Sequence, residues 1–188
     1  MANADDGCWE MTGTEDGPAL RIFTARFDTF IHPVKGLPLR ATVLETPPWC
    51  NVIALTPDNQ IVLVRQFRFG VREVTLEIPG GMVDPGEDHE AAVKRELQEE
   101  TGYTSDDWTY LGACQQNPAF HDELCHMWLA KDAHQSHGQI DEGKHDSTEH
   151  IRVELMAPGT VIQAVHDGGF QHPHAIVALS RVYDLRIR

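Results

Sequence analysis

Residues 95–101 read R-E-L-Q-E-E-T and are closed by Gly102. Glu96, Glu99 and Glu100 therefore crowd onto little more than one helical turn. Like charges at i,i+3 and i,i+4 stand roughly 5–6 Å apart and destabilise a helix by a few tenths of a kcal/mol per pair. The rest of the chain offers no surplus of cations, since its formal charge is already −14. Carboxylates at this spacing can gather a hard divalent cation such as Mg2+, which prefers oxygen ligands, and the acids at 96 and 100 can converge on it. The competing reading is a solvated acidic face. On a wheel of about 100° per residue, Val93 and Leu97 set the apolar direction; Glu100 projects about 40° from it, Glu96 beyond and Glu99 further round. Acids serving solubility alone would lie opposite the core, so the wheel points toward a cleft, and on the helix alone both readings stay open.

A helix with this load needs firm ends and a sheet to lie on. Asp88 is placed to cap its N-terminus and Gly102 its C-terminus. Residues 20–30 and 39–45 alternate as strands, split by the turn-prone HPVKGLP. CNVIALT and IVLVRQF flank Pro57-Asp58-Asn59-Gln60 as a hairpin, and VTLEI is a strand ended by Pro79-Gly80-Gly81. WTYLGAC and LCHMWLA form another strand pair joined by the loop QQNPAFHDE. An acidic, His-rich loop over 132–148 leads into the strand HIRVELM. Thr160 is placed to cap a helix over VIQAVH. Pro173 fits the first turn of a last helix, with Ile176, Leu179 and Tyr183 on one face. Many strands with three helices give a mixed α/β domain over 19–188. Residues 1–18, where Asp5, Asp6, Glu15 and Asp16 accumulate without an apolar period, are expected to be a flexible N-terminal segment.

At 188 residues and 41% hydrophobic content the chain can bury a sizeable core. The start, MANADDGCWEM, has neither the basic nor the apolar region of a secretory signal. No stretch reaches the ~18 apolar residues of a membrane span. Cys8, Cys50, Cys114 and Cys125 show no CxxC spacing and read as reduced thiols of a cytoplasmic protein. The acidic balance argues against nucleic acid or an anionic membrane surface as partner, and leaves room for a small anionic ligand if cations mediate. His134, His137, His145 and His150 match no metal-ligand spacing and read as loop histidines.

From Gly81 the chain runs G-M-V-D-P-G-E-D-H-E-A-A-V-K-R-E-L-Q-E-E-T-G-Y. This resembles the Nudix box at Gly81, Glu87, Arg95, Glu96, Glu99, Glu100 and Gly102; Tyr103 departs, standing where the family usually has an aliphatic residue. The resemblance implies a Nudix-type α/β/α sandwich with a central mixed sheet and a loop–helix–loop catalytic motif. It implies Glu96 and Glu100 as principal metal ligands, Glu99 assisting or orienting water, and the Gly80 carbonyl as a further ligand. Arg95 and Glu87 would pair and brace the motif. The cofactor implied is Mg2+, with Mn2+ able to substitute. The chemistry implied is hydrolysis of a nucleoside diphosphate linked to another group, with water attacking one phosphorus.

The stretch VRQFRFG…TLEIPGG resembles the branch that hydrolyses ADP-ribose and nucleotide sugars, in which Arg68 would approach the diphosphate and Glu77 would line the pocket. Pro118 stands sixteen residues after Gly102, where this branch carries its proline. The following A-F-H-D-E is similar to the branch's G-x-S-D-E at Asp122 and Glu123 and departs at Ala119 and His121. S-T-E-H-I-R-V resembles the late acidic loop and places Glu149 as a distal metal ligand. The acid expected two positions earlier is Ser147, so the general base stays open among Glu142, Asp146, Glu149 and Glu99. Trp49, and less so Trp9, are candidates for stacking on the base, with packing as the alternative. The branch further implies a homodimer using the strands of 19–45. The expected activity is Mg2+-dependent hydrolysis of ADP-ribose or a related nucleoside diphosphate sugar to a nucleoside monophosphate and a sugar phosphate. The alternatives are a GDP-sugar or dinucleoside polyphosphate as substrate, or a nucleotide-sensing module without turnover.

Overall fold

The computed structural model of the chain describes residues 7–136 and 150–186, so Glu142, Asp146, Ser147 and Glu149 lie outside the described residues. Two compact units are present. One consists of the chain up to Pro47 with Gln115–Glu123; the other consists of Pro48–Cys114 and the chain from Leu124 onward.

In the first unit, β1 (Glu10–Ala19), β2 (Thr24–Ile31) and β3 (Pro38–Glu45) form an antiparallel sheet in that order. The segment expected to be flexible up to residue 18 is therefore a strand from Glu10. Its side chains are nearly all exposed, which is why apolar alternation does not announce it. Backbone pairing holds it instead, helped by the Thr14 hydroxyl donating to Asp28 at 2.8 Å. The next strand starts later than the expected residue 20, because the Leu20 N–H first closes a turn onto the Phe23 carbonyl at 2.8 Å. Arg26 binds Asp28, Glu45 and Asp122 within this unit, which compensates the near-complete burial of Asp28. The Leu44 N–H donates to the Phe120 carbonyl at 2.7 Å and ties in the 115–123 segment.

The second unit holds the remaining elements. They are β4 (Trp49–Leu55), β5 (Ile61–Arg68), β6 (Glu73–Glu77), β7 (Gly80–Met82), α1 (His89–Thr101), β8 (Tyr103–Thr104), β9 (Asp107–Gln115), β10 (Leu124–Lys131), β11 (His134–Gln135), β12 (Arg152–Met156), α2 (Pro158–His166) and α3 (Pro173–Val182). The main sheet runs β12-β5-β4-β10-β9, with β10 parallel to β4, while β8 pairs β11 separately. The expected hairpin at 57–60 is present, but β4 and β5 stay paired only at Ala54–Val62 and Leu55–Ile61. Beyond that point they splay. β6 takes over the open edge of β5 from Val64 to Arg68, and β7 takes over the edge of β4 from Trp49 to Asn51. The link between β6 and β7 is thus driven into the fork, where the Val52 N–H donates to the Pro79 carbonyl at 3.0 Å.

Side-chain alternation on the central strands then builds two cores. Val52, Ala54, Trp128 and Ala130 face α1 and pack with Ala92, Val93 and Leu97. Ile53, Met127 and Leu129 point the other way and pack with Val161 of α2 and Ala175, Ala178 and Leu179 of α3. The result is an α/β/α sandwich, each fully buried aliphatic side chain of which contributes about 1.5–3 kcal/mol. α2 differs from expectation at its start: Pro158 occupies the first turn behind Ala157, which makes no side-chain cap, and Thr160 lies inside the helix. Proline's fixed φ and missing N–H serve that position without a hydroxyl cap. In α3, Leu179 is buried together with Ala175 and Ala178, while Ile176 and Tyr183 are only partly covered. Arg181 from α3 clamps the edge strand β9 through the Leu111 and Ala113 carbonyls. Among the described residues no helix is long and apolar enough to cross a membrane.

Candidate active site

α1 has the ends its sequence requires. The Asp88 carboxylate accepts from the Glu90 N–H at 2.8 Å, and Gly102 terminates the helix in the left-handed region at φ 72°. With both ends fixed and Val93 and Leu97 fully buried, the outward-facing acids of the last two turns have defined positions. They meet the turn at the tip of the fork. Glu100 Oε2 accepts from the Gly80 N–H at 2.9 Å. Glu96 lies directly over Gly81, where any Cβ would overlap its carboxylate. A Cβ at Gly80 would collide with the Cys50 carbonyl and come within 2.7 Å of the Asn51 Cα. The two glycines are therefore a steric demand of the fork: one lets the turn lie against β4, the other makes room for Glu96.

Arg95 binds the acids together. Its Nε and Nη2 reach the two oxygens of Glu87 at 3.1 and 3.0 Å, and Nη2 also donates to the Met82 carbonyl at 3.2 Å. Its Nη1 reaches Glu96 at 2.8 Å and Glu99 at 3.0 Å. Glu87 is fixed further by the Asp84 N–H at 3.1 Å. The bond to Arg95 holds the Glu87 carboxyl below the ordinary carboxylate range, and Glu87 in turn raises the already high basicity of Arg95. The repulsion among the crowded glutamates is thus met by a guanidinium inside the motif. Beneath the turn, burial pushes the Cys50 thiol up to about 12, so this sulfur is inert packing. All four cysteines are free thiols.

The donor types suit a hard divalent cation: three carboxylates and the backbone oxygen of the half-buried Gly80 turn, with the Glu96 carboxylate filling the space that Gly81 leaves. Among the described residues no three His, Cys, Asp or Glu groups stand in metal-binding geometry, Glu96 and Glu99 being engaged with Arg95.

Three residues before Gly80 is a second charged assembly. Glu77, 1% exposed, takes both prongs of the Arg68 guanidinium at 2.8 Å each. Thr75 donates its hydroxyl to Glu77 Oε1 at 2.6 Å, and His172 Nε2 lies 3.4 Å from Oε2. Burial alone would raise the Glu77 carboxyl; the Arg68 fork outweighs it and the carboxyl titrates low. Burial likewise pushes His172 down, against the pull of Glu77. Glu77 is therefore a buried anchor rather than a pocket-lining acid, and Arg68, with 38% of its side chain exposed, is the member that reaches solvent.

Trp49 opens β4 half-buried, one position before Cys50. Pro118 sits in an exposed turn of the first unit closed by the Asn117 carbonyl, and Trp9 in the same unit packs on His32 at 4.8 Å between ring centroids. Thr75 and His172 were not singled out in the sequence. Thr75 lies two positions before Glu77 on one strand, so the strand period of two could have found it; His172 lies in a loop between helices and has no sequence signal.

The NUDIX domain profile matches residues 47–176. Over 140 residues the chain is 32% identical to an ADP-ribose pyrophosphatase of Bacillus subtilis, covering 72% of this chain and 73% of that one. It is 29% identical over 85 residues to an ADP compounds hydrolase of Escherichia coli, covering 45% and 46% of the two chains. A crystal structure of an ADP compounds hydrolase superposes with a TM-score of 0.77 at 21% identity over 93% of this chain and 91% of that one, a likeness of fold.

Proposed function

Because the chain belongs to the NUDIX domain family and is a hydrolase of the ADP-ribose pyrophosphatase type, we propose that it cleaves the pyrophosphate of ADP-ribose or a related nucleoside diphosphate sugar with the help of Mg2+. The observation that supports this most is the suspension of Glu96 and Glu100 on consecutive glycines of one turn, Gly81 and Gly80. In this reading Glu96, Glu100 and the Gly80 carbonyl hold the cation, with Glu99 beside them and Glu149 as a distal ligand. The bound cation supplies charge neutralisation for the diphosphate and for the oxygens that gain charge in the reaction.

The chain's own residues do the rest. Arg68, held by Glu77, draws the diphosphate to the mouth of the fork through its exposed guanidinium edge. A water oxygen forms a new bond to one phosphorus, and the bond from that phosphorus to the bridging oxygen breaks. The bridging oxygen leaves with the other phosphate, and the water's proton passes to a carboxylate, either Glu99 or an acid of 142–149. Trp49 provides a stacking surface for the base.

Incubation with a panel of ADP-ribose, GDP-sugars and dinucleoside polyphosphates in Mg2+ or Mn2+ tests this by product identity. AMP plus ribose phosphate from ADP-ribose is the expected outcome. Release of a nucleoside triphosphate, or ligand binding without any product, would replace the reading by one of its rivals. The same reading expects a homodimer. Met11, Phe30 and Leu39 are in register across the three-stranded sheet, and Met11 and Leu39 are both exposed. Light scattering at micromolar concentration should give twice the chain mass; a monomer that is fully active would refute the dimer.

A further inference from the structure

We propose that the stacked side chains of His89, His126 and Tyr110 form an acid-released latch: at neutral pH they fasten the first turn of α1 to the sheet, and a second proton on the stack lets that turn go. The reading is independent of the substrate, since it concerns how the helix that carries Glu96, Glu99 and Glu100 is attached. His89 is the first residue of α1, and both imidazoles are half-buried. Its ring lies flat on that of His126 from β10, with centroids 4.0 Å apart and planes at 13°. Tyr110 of β9 stacks on His89 at 5.1 Å and sets its hydroxyl 2.9 Å from His126 Nδ1. Trp128 of β10 lies 5.5 Å from His89 and 4.9 Å from Tyr110, ring to ring.

This contact holds the front of the helix. The fully buried side chains of α1 begin at Ala92; before it, Ala91 is exposed and Glu90 pairs with Lys94 of the same helix. His89 is therefore the side chain that docks the first turn on the sheet. Glu87, which braces Arg95, stands two residues ahead of it, so release of the turn slackens that brace. Stacked imidazoles tolerate one proton between them, but two charged rings repel. With centroids 4.0 Å apart and an effective dielectric of about 20, two unit charges disfavour the closed stack by about a thousandfold. His89 Nδ1 is also buried with no hydrogen-bond partner among the described residues, so a proton there finds no acceptor. Around the stack stand Asp88, which caps α1, the Glu90–Lys94 and Glu87–Arg95 pairs, the Tyr110 hydroxyl and, on β4, Cys50 in register with His126. Burial and then His89 oppose a charge on His126; together they outweigh the pull of Asp88, and the imidazole titrates below the ordinary 6.5. The opened turn thus binds more protons than the closed one. The latch is complete above the ordinary value and is lost as the pH falls through it toward the lower folded value.

The test is amide hydrogen exchange along α1 in the full chain, with tryptophan fluorescence, at pH 7.5, 6.5 and 5.5, for wild type and His89→Phe. Phenylalanine keeps a flat ring over His126, gives up no hydrogen bond at Nδ1 and cannot titrate. In the wild type, first-turn protection, corrected for the intrinsic rate, should fall at least about tenfold between pH 7.5 and 5.5, with tryptophan emission changing over the same range. Amides beyond Leu97 should keep their protection. His89→Phe should hold the first turn at all three pH values. A flat wild-type profile, the same fall in His89→Phe, or an equal loss along the whole of α1 each overturn the proposal. If His89→Phe fails to fold, imidazole NMR of the wild type decides. The pair should take up its two protons in steps more than about one pH unit apart, and uptake in a single step overturns the latch.

Discussion

Glu100→Gln should lower kcat by at least about a hundredfold at saturating Mg2+, the scale expected when a group that holds or orients a catalytic metal is altered. The fold should tolerate the change. Glu100 accepts from the Gly80 N–H at 2.9 Å, and the glutamine carbonyl can accept the same bond. Stability should therefore move by less than about 1 kcal/mol, the ordinary worth of one hydrogen bond. It also removes one anion from a crowded helix end, which acts in the stabilising direction. Glu90→Gln is the matched control. Glu90 lies in the first turn of the same helix, its side chain half-exposed and paired with Lys94, so its loss should leave turnover unchanged. Calorimetry should show divalent binding weakened in Glu100→Gln and intact in Glu90→Gln. Near-normal kcat in Glu100→Gln would remove Glu100 from the cation site, and with it the meaning given to the Gly80–Gly81 turn.

What could be read in the sequence was what local physics fixes. α1 runs between Asp88 and Gly102 because an Asx cap and a left-handed glycine are decided within a few residues. The hairpin at 57–60 was legible for the same reason, whereas the pairing of Arg95 with Glu87, eight residues apart, was legible only through the resemblance to the Nudix box. The fork was not. That β4 and β5 part after two residue pairs, and that β6 and β7 enter the gap, depends on pairings between distant segments, to which apolar alternation is blind. β1 escaped notice because its stability lies in backbone bonds and polar cross-strand contacts, with almost nothing buried. Arg68 and Glu77 were both picked out, but as two pocket residues. The structure makes them one object, a buried carboxylate carrying a half-exposed cation. His172, whose Nε2 lies 3.4 Å from Glu77 Oε2, comes from nearly a hundred residues further along the chain and leaves no local trace.

The crowded helix end poses a stability question as well as a chemical one, and Arg95→Ala should answer it. In the folded chain this guanidinium touches Glu87, Glu96, Glu99 and the Met82 carbonyl at once. Its removal leaves three partly buried carboxylates facing one another with no cation between them. Breaking a buried pair costs about 3–5 kcal/mol, and with 29% of the Arg95 side chain exposed to solvent a loss of about 2–3 kcal/mol is expected. Lysine should rescue little, because a single ammonium cannot meet Glu87 with two bonds while also reaching Glu96 and Glu99. The deficit has a predictable pH dependence. Glu87 titrates below the ordinary 4.5 when folded, so its contribution is complete above that pH and is lost as the pH falls through the lower folded value. The gap between wild type and Arg95→Ala should therefore be widest near neutrality and close in acid. Millimolar Mg2+ should recover part of the lost midpoint at pH 7, since a cation gathered by the unpaired acids stabilises only the folded form. Urea unfolding at pH 7 and pH 4, with and without Mg2+, measures all of this. An Arg95→Ala protein that unfolds at the wild-type midpoint would mean that the glutamates repel one another too weakly to need a partner, whether guanidinium or metal.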